Sequence, residues 1–319
     1  MLDADQVRGE TRICIGVCTY KRPVMLRSCL SSLAHLQTPD GFEVSVVVVD
    51  NDSTPTSREN VEAFNGLSEG IPFHYGHEPK RGISQARNAI LDAAAGLRAD
   101  WIVMIDDDQI VPIDWLLKMW SAQRETGADV VQGSVDLVYP DPLPRWAFPK
   151  QKRDKWNYDA NRAATNGVLF RVGLNDKEGQ PLRFSPDFDL TGAEDRDFFI
   201  RAKLGGARIV FTPEAVAREF VPEPKLTFLA QIRRAYCFEV VMVRQDRQLF
   251  GFLPTLATKS AKFSEYLIEG LRLLAEAPFA ANGRKRLLKG VKKLSKAGGV
   301  FAGLTGLANA HLYENIYGH

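Results

Sequence analysis

The stretch Trp101-Ile102-Val103-Met104-Ile105-Asp106-Asp107-Asp108 sets five apolar residues directly before three carboxylates. A run of that kind reads as a buried strand, and the end of such a strand is where an α/β sheet opens onto its ligand crevice. Three adjacent acids there repel one another. Hard cations such as Mg²⁺ or Mn²⁺, with phosphate oxygens as further ligands, answer that repulsion. A solvated acidic turn is the plainer reading of the triplet taken alone.

Working outward, Ile13–Cys18, Val44–Val49 and Ile71–Tyr75 read as further strands. Helical spacing follows Pro23 (Met25, Leu26, Leu30, Leu33) and continues over Ile83–Ala95 and Trp115–Arg124. Val130–Val131, Val135–Val138 and Val168–Val172 look β again, Gly192–Leu204 looks helical, and from Leu226 onward the pattern is nearly all helical. This alternation predicts an α/β fold, a mainly parallel sheet with helices on both faces, plus a C-terminal helical extension. Right-handed crossovers would place the strands' C-terminal ends along one edge. Residues 1–245 are expected to form the α/β domain and 246–319 a basic helical extension. Between Tyr139 and Tyr158 a proline- and aromatic-rich stretch interrupts the pattern.

With 45% hydrophobic and 25% charged residues the chain is globular in composition. Its four cysteines lack CxxC or zinc-like spacing, which predicts free thiols in a reducing compartment. The polar N-terminus has no signal-peptide core, and no stretch approaches the length of a spanning helix, so a cytoplasmic protein is expected. Charge is uneven: residues 220–319 hold 15 Lys/Arg against 7 Asp/Glu, and the first 219 residues hold 26 against 32. Arg284, Lys285, Arg286, Lys289, Lys292, Lys293 and Lys296 fall in a stretch without acids, with Leu287, Leu288, Val291 and Leu294 on a shared face. Such a helix through 280–300 suits an anionic membrane on the inner face of the cell, or packs its leucines on the rest of the protein. No nucleic-acid fold accompanies it, so nucleic acid is not the expected partner.

The residues after each strand should line the ligand edge. They are Thr19-Tyr20-Lys21-Arg22, Asp50-Asn51-Asp52-Ser53, Lys80-Arg81-Gly82 and the aspartate triplet. A ring can stack on a base, a carboxylate can accept from a nucleobase or ribose, and arginine can pair with phosphate. Gly192-Ala193-Glu194-Asp195 then opens a helix. Acids suit a first turn through the helix dipole, and one held beside the crevice could serve as a general base.

Taken in order, ICIGVCTYKRP, VVVVDNDS, GISQARNAIL, WIVMIDDDQIVP and GAEDRDFFIRA make residues 11–245 similar to the family 2 glycosyltransferases of GT-A fold, nearest to exopolysaccharide enzymes of the succinoglycan kind. The resemblance implies a nucleotide-sugar half over about residues 11–135 and an acceptor half over about 136–245. It implies that Thr19, Tyr20 and Arg22 line the base and ribose pocket, that Asp50 grips a uracil-type base, and that Arg81 lies near the diphosphate beside Arg87 and Asn88. Asp106 and Asp108 match a DxD motif, Asp108 as metal ligand and Asp106 toward ribose or metal, with Asp107 sharing either role. Asp195 matches the general base and Glu194 its neighbour. One base and one displacement imply inversion at the anomeric carbon. The implied partners are a nucleoside-diphosphate sugar, with UDP the expected nucleotide, a glycan or lipid-linked acceptor, and a divalent cation, Mn²⁺ or Mg²⁺.

Two departures qualify the match. Gln231-Ile232-Arg233-Arg234-Ala235 has alanine where processive members carry tryptophan, and Arg218 stands where many members have a metal-binding histidine. Arg218 and Arg234 are therefore candidate diphosphate contacts. Trp146, Trp156 and Asn166 are candidate acceptor contacts, the tryptophans competing with a role as cover for a sheet edge. Three rival readings remain open: a phosphohydrolase with an aspartyl nucleophile at Asp106, a sugar nucleotidyltransferase, and a non-catalytic nucleotide-sugar-binding protein.

Overall fold

Strand β1 (Thr11–Thr19) buries alternate residues on opposite sides: Ile13, Ile15 and Val17 enter one apolar layer, Cys14 the other. That period of two forces a sheet covered on both faces. The computed structural model describes residues 11–68, 70–142, 163–189 and 192–307. Two compact units make it up, and each is built around its own core.

The first unit comprises residues 11–138, 163–189 and 194–220 among those described. Its eight-stranded sheet has the order β3-β2-β1-β4-β7-β6-β8-β5, with β2 at Phe42–Asp50, β3 at Phe73–His77, β4 at Trp101–Asp106, β5 at Gln109–Ile110, β6 at Val130–Val138, β7 at Val168–Arg171 and β8 at Ile209–Phe220. β1 pairs in parallel with β2 and β4, and β2 with β3. One face carries α1 (Pro23–Ala34) and α4 (Trp115–Thr126), burying Leu26, Leu30, Leu33, Trp115 and Met119. The other carries α3 (Ile83–Gly96) and α5 (Glu194–Leu204), burying Ile90, Phe198 and Phe199. A short α2 (Arg58–Glu62) follows β2. Gly16 lets α3 approach β1, since a Cβ there would collide with Ile90.

The parallel half stands as the sequence predicts. Beyond it the expectation that all strands end on one edge fails. β7 runs antiparallel to both β4 and β6, and β5 runs antiparallel to β8. The reversal has a useful consequence. The start of β7, not its end, lies beside the end of β4, with the Gly167 N–H donating to the Met104 carbonyl at 2.9 Å. Val130–Val131 and Val135–Val138, separate in the sequence reading, form one strand with an irregularity between Gln132 and Ser134.

The second unit, described at 139–142, 192–193 and 221–307, is helical: α6 (Phe228–Phe250), α7 (Phe252–Glu276) and α8 (Gly283–Thr305). It takes in all of α6, so the helical part begins at Val221 rather than at 246. Val240, Val241 and Met242 of α6 close a small core with Ala302 of α8. Lys259 and Asp246, both largely buried, pair at 2.6 Å between α7 and α6. α8 packs inward on its partners: Leu288 is buried and Leu294 lies against Gly270 of α7. Lys292 donates to Gln231, while Lys293 pairs with Glu269, Lys296 with Glu239 and Arg286 with Glu276. No helix among the described residues is long and apolar enough to cross a membrane.

The α6–α8 crossing is set by glycine. A Cβ on Gly299 would run into the Tyr236 carbonyl oxygen, and one on Gly303 would lie 2.7 Å from the Val243 Cβ. Helix propensity alone makes Gly→Ala worth up to about 1 kcal/mol of added stability. At Gly299 the sign should reverse: Gly299→Ala is expected to cost about 1–3 kcal/mol through overpacking, read as a lowered urea midpoint at constant m-value.

Candidate active site

Asp106 is the last residue of β4, and Asp107 and Asp108 form the turn into β5. The turn is held by its own neighbours: the Asp106 N–H donates to Gln109 Oε1 at 3.1 Å, and the Phe220 N–H donates to the Asp108 carbonyl at 3.2 Å. Asp107 and Asp108 are enclosed, at 4% and 8% exposure. Thr19 Oγ1, at the end of β1, donates to Asp107 at 2.9 Å. Arg22 Nη1, just before α1, reaches Asp107 at 3.1 Å and Asp108 at 3.4 Å. Lys21 adopts φ +54°, the turn that separates Thr19 from Arg22 so that both point at the triplet.

Asp106 is handled differently. Its carboxylate keeps 41% of its surface open and has Arg87 Nη2 at 3.8 Å. The carboxyl group reaches solvent but its base is deep in the crevice, and loss of solvation is the first cause that pushes its pKa up to about 7. Arg87 opposes the rise, and Asp108, Glu219 and Asp107 add repulsion. Burial also raises Asp107, with Arg22 working against it. The thiol of Cys29 donates to the Asp106 carbonyl at 3.7 Å and is pushed well above its ordinary range by burial and the three acids, which keeps it neutral.

Arg87 has a second partner. Its Nη1 pairs with Glu194 Oε1 in the first turn of α5, both side chains being almost wholly buried. The other oxygen, Oε2, is enclosed with no hydrogen-bond partner among the described residues. Asp195, the next residue, is half-buried, and its Oδ1 accepts from the Arg196 N–H at 2.6 Å. Gly192 and Ala193 ahead of them both take positive φ, +75° and +73°.

The loops that place these groups are held by amides and one carboxylate. Asn51 donates to the carbonyls of Glu78 and Lys80, at 2.8 and 2.9 Å, and accepts from the Gly82 N–H at 2.9 Å. Asp189 caps α3 by accepting from the N–H groups of Ser84 and Gln85, at 2.9 and 3.3 Å. It comes so close that only glycine fits at residue 82, whose φ is +153°. Neither role is visible beforehand, since no local spacing links Asn51 to Gly82 or Asp189 to Ser84.

The structure thus joins Thr19, Arg22, Arg87, Asp106, Asp107, Asp108 and Glu194 by direct contacts, with Asp195 following in the chain. Tyr20 lies beside them, with Arg81 5.4 Å from its ring centroid. Arg218 is exposed on β8 opposite Ile110, and Asn166 lies one residue before Gly167 at the start of β7. Asn88 exchanges two hydrogen bonds with the backbone of Phe184 and so braces α3. Asp50 is fully buried, and its oxygens accept from the N–H groups of Asp52, Thr56 and Ser57, each at 3.1 Å. In this form it holds its own loop. Arg234 is exposed on α6 in the helical unit, and Trp146 and Trp156 lie outside the described residues.

Among the described residues, no three His, Cys, Asp or Glu side chains are grouped to hold a metal ion. The hard carboxylate oxygens of the triplet, Asp106 the most open among them, nevertheless fit a divalent cation that takes one or two carboxylates and completes its shell from phosphate and water.

Residues 14–176 match the model of Glycosyl transferase family 2. The succinoglycan biosynthesis protein ExoM of Rhizobium meliloti (strain 1021) is 37% identical over 225 residues, covering 69% of this chain and 71% of that protein. The crystal structure of S. aureus TarS 1-349 in complex with UDP-GlcNAc aligns with a TM-score of 0.55 at 16% identity, over 93% of this chain and 91% of that one. The chain spans 55% of the longer TarS structure. A mannosyltransferase of Pyrobaculum calidifontis, PcManGT, in complex with GDP-Man and Mn²⁺, aligns with a TM-score of 0.60 at 18% identity, over 93% and 88%.

The buried Arg87–Glu194 pair makes a direct prediction. Arg87→Met leaves a carboxylate buried without its cation and is expected to cost about 3–5 kcal/mol, while Arg87→Met with Glu194→Gln recovers much of that loss. Chemical denaturation of both variants checks the pair. Wild-type stability in the single variant would show that the two side chains do not compensate each other.

Proposed function

The chain belongs to glycosyl transferase family 2, and from that premise we propose that it moves one sugar from a nucleoside-diphosphate donor to a hydroxyl of a glycan or lipid-linked oligosaccharide in exopolysaccharide assembly. The observation that carries this reading is Arg87, which draws the acids of β4 and the acids of α5 to one edge of the sheet. A hydrolase or a binding module built on the aspartate triplet would not need the second pair. The name of the Rhizobium relative supports the polysaccharide context. UDP-GlcNAc and GDP-Man in the two structural neighbours support a nucleotide-sugar donor, and UDP is our preferred nucleotide.

In this reading Thr19, Tyr20 and Arg22 border the base and ribose, with Tyr20 offering a stacking face. Arg81 and Arg218 supply positive charge to the diphosphate, and Asp50 contributes by shaping the 52–57 loop. Asp106 and Asp108 would hold a divalent cation, Mn²⁺ or Mg²⁺, with the phosphates. The cation supplies charge stabilisation to the departing nucleoside diphosphate. Asp195 is the general base. It takes the proton of the acceptor hydroxyl as that oxygen attacks the anomeric carbon opposite the leaving group, and one such displacement inverts the configuration. Glu194, fixed by Arg87, orients the acceptor side.

Asp195→Asn is expected to lower kcat about 10²–10⁴-fold while calorimetry shows UDP affinity essentially unchanged. Transfer at near wild-type rate would remove Asp195 as the base, and a product of retained configuration by NMR would remove the single displacement. Chelation with EDTA is expected to abolish transfer, with Mn²⁺ or Mg²⁺ restoring it. Full activity in EDTA would exclude a metal at the triplet.

A further inference from the structure

The helical unit has a surface unlike that of the sheet unit. Of the nineteen large apolar side chains exposed among the described residues, fourteen lie from Phe228 onward. Five of these, Leu253, Leu256, Leu267, Ile268 and Leu271, recur at helical spacing along α7. They lie away from Thr255, Lys259 and Gly270, the buried residues of the same helix. The residues between them on the outer face are alanine and serine, so an uncharged strip runs the length of a helix about 37 Å long. A solvated helix would carry charge there.

Lys262 and Glu265 are exposed on the flank of the strip, and further bases gather at one end of it. The turn after α7 presents Phe279 at 91% exposure, and Arg284-Lys285-Arg286 begin five residues further on. Glu276 ties this end together, with Arg272 Nε at 3.5 Å on one oxygen and Arg286 Nη1 on the other. No acid occurs between Ala280 and Ala310.

We propose that the outer strip of α7 and the Phe279 turn dock on an anionic lipid bilayer. An apolar strip beside exposed bases is what the boundary between headgroups and acyl chains accepts, and since no described helix is long and apolar enough to cross, α7 lies in that plane. This places the contact elsewhere than the sequence reading did. α8 spends Leu288 and Leu294 on internal packing and four of its bases on partners within the unit, so its share is the exposed bases of its first two turns, Arg284 and Lys289. The proposal does not rest on the transfer reaction and can fail or stand apart from it.

Co-sedimentation of the full chain with vesicles tests it. Phosphatidylcholine vesicles containing about one third phosphatidylglycerol should retain the protein at low salt, and raised salt should weaken retention. Pure phosphatidylcholine should retain it far less. Ile268→Glu with Leu271→Glu is expected to lower anionic-vesicle binding about tenfold or more with the melting curve unchanged, since both side chains face solvent. Arg284→Glu with Lys289→Glu should lower binding and flatten its salt dependence. Absence of binding by the wild-type chain would overturn the proposal, as would unchanged binding by Ile268→Glu with Leu271→Glu. A concentration-dependent dimer that this double variant abolishes, seen by light scattering without vesicle binding, would assign the strip to a second copy instead.

Discussion

Everything at this site depends on one buried guanidinium. Arg87 stands between Asp106 on β4 and Glu194 on α5, and neither acid can be where it is without a cation at that point. At an effective dielectric of about 20, unit charges some 4 Å apart interact by about 4 kcal/mol, so the two acids cannot tolerate an error in its position. The demand passes up the chain to α3. Asp189 caps its first turn, Asn88 bolts its side to Phe184, and Asn51 fixes the loop that leads into it. A residue at the sheet edge is thus positioned by two amides and a carboxylate that lie outside its own ion pairs.

Gly82 shows how tight that support is. The residue must take φ +153° and must lack a side chain, because the Asp189 carboxylate occupies the space a Cβ would need. Capping a helix with a carboxylate from a segment more than a hundred residues later joins the two ends of the site. Within the sheet unit, Arg87 on that capped helix then fixes the end of β4 relative to the helix that starts with Glu194.

Much of this was legible in the sequence, and what was not has a common cause. Apolar runs and helical spacing are local, so β1 to β4, α3 and α4 follow from residues within each element. The aspartate triplet and the Glu194-Asp195 pair are legible for the same reason. Strand direction is not local. β7 has the composition of any buried strand, and only its antiparallel pairing with β4 shows that its start, not its end, lies at the crevice. Partner choice is not local either. Asp50 reads as an open carboxylate after a strand, yet three N–H groups of its own loop enclose it. The basic helix 283–305 shows the same limit, since its leucine face carries no sign of whether α7 or a bilayer will cover it.

The arrangement of charge explains why the triplet needs a third acid that stays open. Asp107 and Asp108 are quenched by Arg22 and enclosed, while Asp106 must share Arg87 with Glu194. Among these six side chains, four carboxylates face two guanidiniums, a deficit of two positive charges. The deficit is not spread evenly. It falls on Asp106, the acid with the most open surface and the one whose pKa is pushed up to about 7. A proton on Asp106 would relieve half of it. The divalent cation proposed at Asp106 and Asp108 would add positive charge where these four acids outnumber their two guanidiniums.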